Sequence, residues 1–458
     1  MISTPITGRR SAAITALAAA ALVAIASPAT ATTAPTYQAT SSSTAALPMP
    51  VPLGIGRAAA SGLSAPLSTA QCQQQLGIAC FSPAQMRAAY NLNPLYERGI
   101  TGKGETVLIV DPFGSPTIQQ DLNTYDQQWG LPSATVHVIN AGTIPPFDPT
   151  SPDSVGWAGE TTFDVELAHT FAPGATIDLL VTSVSETLGV TGFPQIDAAL
   201  QSEVNQGVGD VVSMSFGAPE PGFPSASALT SLRGGFQDAT AHGVTLVASA
   251  GDTGAAGLED ISTGVLSTDR ETSWPATDPD VTAVGGIQLQ PDSAGNPQMP
   301  GTAWNEPTIQ GATGGGLSTI FSRPDYQNPV RSVVGSQRGI PDIALSAAVN
   351  GGVWVYMSYP GSDGWGVYGG TSEGAPTFSA MVALADQVAG HRLGNVDQTL
   401  YQLYAHGGYA PWTGLEDVTE GNNSLGEVTG YNAGPGYDLT TGVGTVNANR
   451  LIPALAGR

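Results

Sequence analysis

Short apolar runs alternate with helical stretches through the middle of this chain, and that alternation leaves few folds open. Glu105-Thr106-Val107-Leu108-Ile109-Val110-Asp111 is bounded by Gly104 and Pro112, the mark of a strand buried on both faces. Runs of the same kind recur at 176–181, 208–215, 244–248 and 281–284, several of them ending in a small or acidic residue. Helical candidates fall between them, around Glu160 to Phe171, Phe193 to Asn205 and Ser227 to His242. Strands alternating with helices predict an α/β domain on a mainly parallel sheet with both faces covered. Sites in such folds gather beyond the carboxyl ends of the strands. Asp111 and Asp252 both fall there.

The ends of the chain carry different signals. Arg9 and Arg10 precede an apolar run from Ala12 to Ala26, and Ala29-Thr30-Ala31 follows, so residues 1–31 read as a secretory signal peptide. The run is too short to span a bilayer, and no later segment reads as a membrane helix. Gly8-Arg9-Arg10-Ser11 leaves twin-arginine export open as a route. Either way the mature protein is expected outside the cell, as a monomer.

Residues 32–80 form an Ala/Ser/Thr/Pro-rich lead-in, with a domain expected from Phe81 to the end at 458. Ser82-Pro83-Ala84-Gln85 reads as the capped start of a short helix. Cys72 and Cys80 are the only two cysteines, and in an oxidising exterior they are expected to close a small disulfide loop. Without neighbouring histidines they make a poor metal site. The charge is lopsided: 14 Lys+Arg against 37 Asp+Glu, a net −23 at pH 7. That argues against nucleic acid or an anionic membrane as partner. Much of the repulsion is relieved as carboxylates take up protons in acid.

Gly370-Thr371-Ser372-Glu373-Gly374 sets a serine between glycines ahead of an apolar helical run, the setting of a presented nucleophile. Such a hydroxyl needs a base, and the best-placed candidates are Glu160 and Asp164, four residues apart and so on one face of a helix. The Gly-x-Ser-x-Gly spacing also fits the nucleophile elbow of α/β-hydrolases, an esterase reading in which Asp397 and His406 complete the triad. All three would then crowd into 35 residues, with too little chain for the intervening elements. His169, near the paired carboxylates, reads as a surface or capping residue. In the tail, Glu416-Asp417-Val418 and Gly434-Pro435-Gly436-Tyr437-Asp438 place carboxylates and carbonyls on flexible loops. Those suit calcium, although acidic turns capping backbone amides explain them as well.

Taken together these motifs resemble the sedolisin family of serine-carboxyl peptidases, from about Phe81 to Leu451. The resemblance implies a subtilisin-like three-layer α/β fold, a secreted peptidase active in acid on polypeptide substrates, and one Ca2+ ion. Glu160-x-x-x-Asp164-Val165-Glu166 with Ala172-Pro173-Gly174-Ala175 is similar to the segment bearing the general base, Glu160, and its supporting carboxyl, Asp164. Ser249-Ala250-Gly251-Asp252-Thr253-Gly254 is similar to the segment bearing the oxyanion aspartate, followed by Ser273-Trp274-Pro275-Ala276. Gly369-Gly370-Thr371-Ser372 matches the nucleophile. The tail matches the calcium loop, with Asp417, Val418, Gly434, Gly436 and Asp438 as implied ligands. Two departures stand out: Ser213-Met214-Ser215-Phe216-Gly217 has Phe where Trp is frequent, and the lead-in is short beside the family's large folded propeptide. The rival on the same fold is a secreted binding protein that has lost turnover.

Overall fold

The computed structural model describes residues 65–186, 192–260, 265–362 and 364–458, all within one unit, Ala45–Arg458. The expected signal peptide and most of the lead-in lie outside the described residues. Eight strands form the central sheet. In chain order they are β1 (Thr106–Pro112), β2 (Val136–Ala141), β3 (Thr176–Thr182), β4 (Val211–Met214), β5 (Thr245–Ser249), β6 (Val281–Pro291), β7 (Pro297–Ala303) and β8 (Ile343–Ser346). Across the sheet the order is β7-β6-β5-β4-β1-β3-β2, with β8 also paired to β6. Every pairing is parallel except β6 with β7.

The period-two geometry of β1 explains how one strand serves two layers. Val107 and Ile109 enter one core beneath the helices α2 (Pro152–Phe171) and α5 (Thr371–Ala389). Leu108 and Val110 enter the other, beneath α3 (Phe193–Asn205) and α4 (Gly234–Ala241). The result is the three-layer α/β arrangement that the apolar runs imply. No helix among the described residues is long and apolar enough to cross a membrane.

Three local departures have physical causes. The stretch Ser227 to His242 is not one helix but two, Ala226–Thr230 and Gly234–Ala241. The break is Ser231-Leu232-Arg233, and the second helix opens on Gly234-Gly235, where the Gly235 N–H bonds Asp197 Oδ1 at 2.8 Å and a β-carbon would lie 2.8 Å from the Asp197 carbonyl. Close packing on α3 thus demands glycine at the cost of helix continuity. α2 begins at Pro152, well ahead of Glu160, because Ser151 caps it and Pro152 occupies its first turn.

Order also begins ahead of Phe81. Cys72 and Cys80 are disulfide-bonded and packed among Tyr125, Trp354 and Trp365, and the Trp354 indole donates to the Leu67 carbonyl at 3.2 Å. Cys80–Phe81 pairs in parallel with β9 (Gly352–Met357), which forms a hairpin with β10 (Gly364–Tyr368). The short helix α1 (Pro83–Ala89) is capped reciprocally by Ser82 and Gln85.

Candidate active site

Every residue of α2 from Glu160 to Phe171 is buried. A helix enclosed on all sides carries no solvent stripe, so its ionisable residues sit inside because the interior holds partners for them. Glu160 and Asp164 stack one turn apart, and Asp164 Oδ1 accepts a hydrogen bond from the Ser215 hydroxyl at 3.0 Å. Beside Ser215, Phe216 packs edge-on against Trp157 of the same helix at 6.3 Å between ring centroids.

Ser372 is the second residue of α5 and lies almost fully buried. The turn ahead of it is fixed by Gly370, whose φ is 121° and where a β-carbon would come 2.7 Å from Asp252 Oδ2. Only glycine lets the start of α5 close on Asp252. Asp252 Oδ1 then accepts both the Thr371 N–H and the Thr371 hydroxyl, each at 2.7 Å, while the Gly251 N–H donates to the same hydroxyl at 3.1 Å. With Oδ1 occupied as an acceptor, Oδ2 is the oxygen left to carry a proton.

The structure therefore brings together Glu160, Asp164, Asp252 and Ser372, and adds Asp111 at the end of β1. Burial is the main cause pushing the Glu160 carboxyl well above the usual range; the Asp164 charge adds to it, and the facing Ser372 hydroxyl opposes it. Neither Glu160 oxygen completes a hydrogen bond with protein atoms, an arrangement that free enzymes often show before substrate tightens it. Burial and then Asp111 raise Asp164; burial raises Asp111 itself to about 7 and lifts Asp252. These carboxyls titrate as a group sharing protons.

The sequence places Asp111 at a strand end but gives no sign that its carboxyl joins Glu160 and Asp164. Thr371 was equally silent, being an ordinary residue beside a serine until its two bonds to Asp252 are seen. His169 is corrected: it is fully buried, with Nε2 2.7 Å from the Pro132 carbonyl and 3.2 Å from Asp126. The esterase triad fails on geometry. Asp397 and His406 stand at opposite ends of α6 (Asp397–Gly407), nine residues or about 13 Å apart along the axis, and the exposed His406 ring bonds only its own helix's Gln402 carbonyl.

Chains with so many buried acids should prefer acid. Glu373 and Asp386 are pushed up to about 8 by burial, and Glu166 well above its usual range despite a bond from the Tyr356 N–H. A carboxyl whose folded pKa is raised contributes stability that is fully present below its unfolded pKa of about 4 and is lost as pH rises through the folded value. Thermal unfolding followed by circular dichroism is thus expected to give a lower Tm near pH 8 than near pH 4. A Tm that stays flat or rises over that window would contradict it.

The family of subtilases matches residues 155–406, more than half of the chain. Kumamolisin of a Bacillus species is 34% identical over 391 residues, 82% of this chain and 63% of that protein. Sedolisin of a Pseudomonas species is 31% identical over 361 residues, 77% of this chain and 58% of its own length. The solved structure of the Pseudomonas sedolisin, a serine-carboxyl proteinase in complex with pseudo-iodotyrostatin, superposes with a TM-score of 0.70 at 28% identity, covering 83% of this chain and 99% of that one. The chain belongs to the sedolisin family. It spans about three fifths of the length of these two curated relatives.

In this sedolisin-family chain the tail loops carry a second concentration of oxygen atoms. Asp417 Oδ2 accepts the Gly436 N–H at 3.0 Å, and Asp438 Oδ2 accepts the Gly434 N–H at 2.9 Å, so both carboxylates close on one short glycine-rich segment. Asp417 Oδ1 is buried with no hydrogen-bond donor. Among the described residues no three His, Cys, Asp or Glu side chains cluster as a metal site, so any ion here would need backbone carbonyls as well. Two carboxylates, one of them with a buried oxygen that has no donor, are hard-oxygen donors of the kind calcium takes.

Proposed function

We propose that the protein is a secreted serine-carboxyl endopeptidase that works in acid, and that Ser372, Glu160, Asp164 and Asp252 carry the reaction. The supporting observation is the placement of Ser372 against Glu160 inside a buried group of carboxyls with no histidine within it. Ser372 Oγ attacks the peptide carbonyl and gives its proton to Glu160, which passes it to the leaving amine; water then releases the acyl group by the reverse route. Asp164, one turn on, shares a proton with Glu160 in the reaction and so couples to its titration. Asp252 donates from Oδ2 to the developing oxyanion, which it can do only while neutral.

Burial raises both Glu160 and Asp252, and the reactive form is the singly ionised pair with Glu160 charged and Asp252 neutral. That form exists only between the two macroscopic steps, giving a bell-shaped rate profile. Cleavage of an unfolded protein at about pH 4 tests the reading. A sample inert from about pH 2 to about pH 8 would leave a binding protein on the peptidase fold instead.

Calcium completes the proposal. Asp417, Asp438 and the carbonyls of Val418, Gly434 and Gly436 would hold one ion, which supplies cross-linking of two loops and no chemistry at Ser372. Because an ion bound only by the folded form stabilises it, chelation or Asp438→Ala should lower the Tm by several degrees or more. Equal melting with and without chelator would leave these residues as capped acidic turns. Export through residues 1–31 belongs to the same reading, as do polypeptide substrates, a monomeric state and no nucleic-acid or membrane partner.

A further inference from the structure

A small apolar cavity of about 190 Å³ begins two residues beyond Asp111, and none of Glu160, Asp164, Asp252 and Ser372 lines it. It is lined by Phe113, Gly114, Val138, Phe147, Leu179 and Val181, among others. Ser115 and Asn140 are the only polar side chains of the lining. Val138 on the edge strand β2 is 49% exposed, an unusual state for a large apolar residue in a chain that buries most of them.

Three features tie this cavity to the catalytic end of the sheet. It follows Asp111 directly, at the turn Phe113-Gly114 where both residues have positive φ, 60° and 67°. A phenylalanine held in that region is uncommon, and such strain persists where a fixed shape is needed. Ser115 Oγ accepts from the Thr162 hydroxyl at 3.2 Å, and Thr162 lies between Glu160 and Asp164 on α2. Phe147 packs edge-on against Tyr359 at 5.7 Å between centroids, and the Tyr359 hydroxyl covers Gly159, the residue before Glu160.

We propose that this cavity is a substrate subsite that takes one aliphatic side chain of the polypeptide, of valine to methionine size, at a position removed from the scissile bond. The inference rests on the peptidase reading and adds where selectivity arises. The walls offer dispersion and burial with no charge to pair, so an aliphatic side chain gains there and a polar one loses its water. None of the Ser372 or Asp252 segment lines it, which sets the position apart from the residue being acylated.

The test is a set of quenched-fluorescence peptides in which leucine is moved to serine one position at a time, hydrolysed by the wild type and by Val138→Arg. One position away from the cleaved bond is expected to favour leucine by about tenfold or more in kcat/KM, and Val138→Arg should collapse that ratio towards one at that position alone. A wild type indifferent to leucine at every such position, or a ratio untouched by Val138→Arg, would overturn the subsite while leaving the peptidase reading intact. Binding of the same peptides to Ser372→Ala, followed by fluorescence anisotropy, separates the two ideas. Leucine-dependent binding lost in the Val138→Arg double variant, with no cleavage by the wild type, would keep the pocket and remove the peptidase. Binding without leucine dependence would remove the pocket.

Discussion

Ser372→Ala is expected to lower peptide hydrolysis by about 10⁴-fold or more while leaving peptide affinity within about threefold. The side chain is almost fully buried at the second position of α5, so losing one oxygen changes the nucleophile and little else. What remains, Asp252 as the proposed oxyanion donor, gives residual catalysis over water but no acyl-enzyme. Steady-state kinetics on one peptide, with anisotropy for affinity, measure both quantities. Retention of more than about a tenth of the wild-type rate would exclude Ser372 as nucleophile.

A loss of similar size is expected for Glu160→Gln at every pH. The amide keeps the volume and a hydrogen-bonding group inside a fully buried site, yet it cannot accept the Ser372 proton. Removing the Glu160 charge also relieves its repulsion with Asp164, so the variant should fold and melt no lower than the wild type in the neutral range. Thermal melts would then show that the lost rate reflects chemistry. A vigorous Glu160→Gln enzyme would mean that some other group takes the proton.

Much of this architecture was legible because buried parallel strands leave near-continuous apolar runs. The runs at 105–111 and 176–181 match β1 and β3 closely, and the helix Phe193 to Asn205 matches α3 at both ends. The edge strand β2 was not seen, since Val136–Ala141 has several exposed positions and little alternation to mark it. The hairpin β9–β10 was not seen either; its other neighbour is Cys80–Phe81, some 270 positions earlier in the chain.

Within the site, spacing alone set Glu160 and Asp164 on one helical face, and glycines marked Ser372. Asp111 and Thr371 stayed hidden because their parts depend on contacts to distant segments, Thr371 to Asp252 across 119 residues. His169 read as a surface residue because nothing in the sequence reveals that α2 is enclosed on every side.

The division of labour between the two carboxyls is tested most directly by the pH–rate profile of Asp252→Asn, measured on one peptide beside the wild type. Asparagine keeps a donor for the oxyanion whose charge does not change with pH, so the alkaline limb that Asp252 ionisation produces should weaken or move. The expected result is a slower enzyme whose alkaline limb is flattened or moved to higher pH. A profile of unchanged shape and position, whatever its height, would contradict the assignment of Glu160 as base and neutral Asp252 as oxyanion donor.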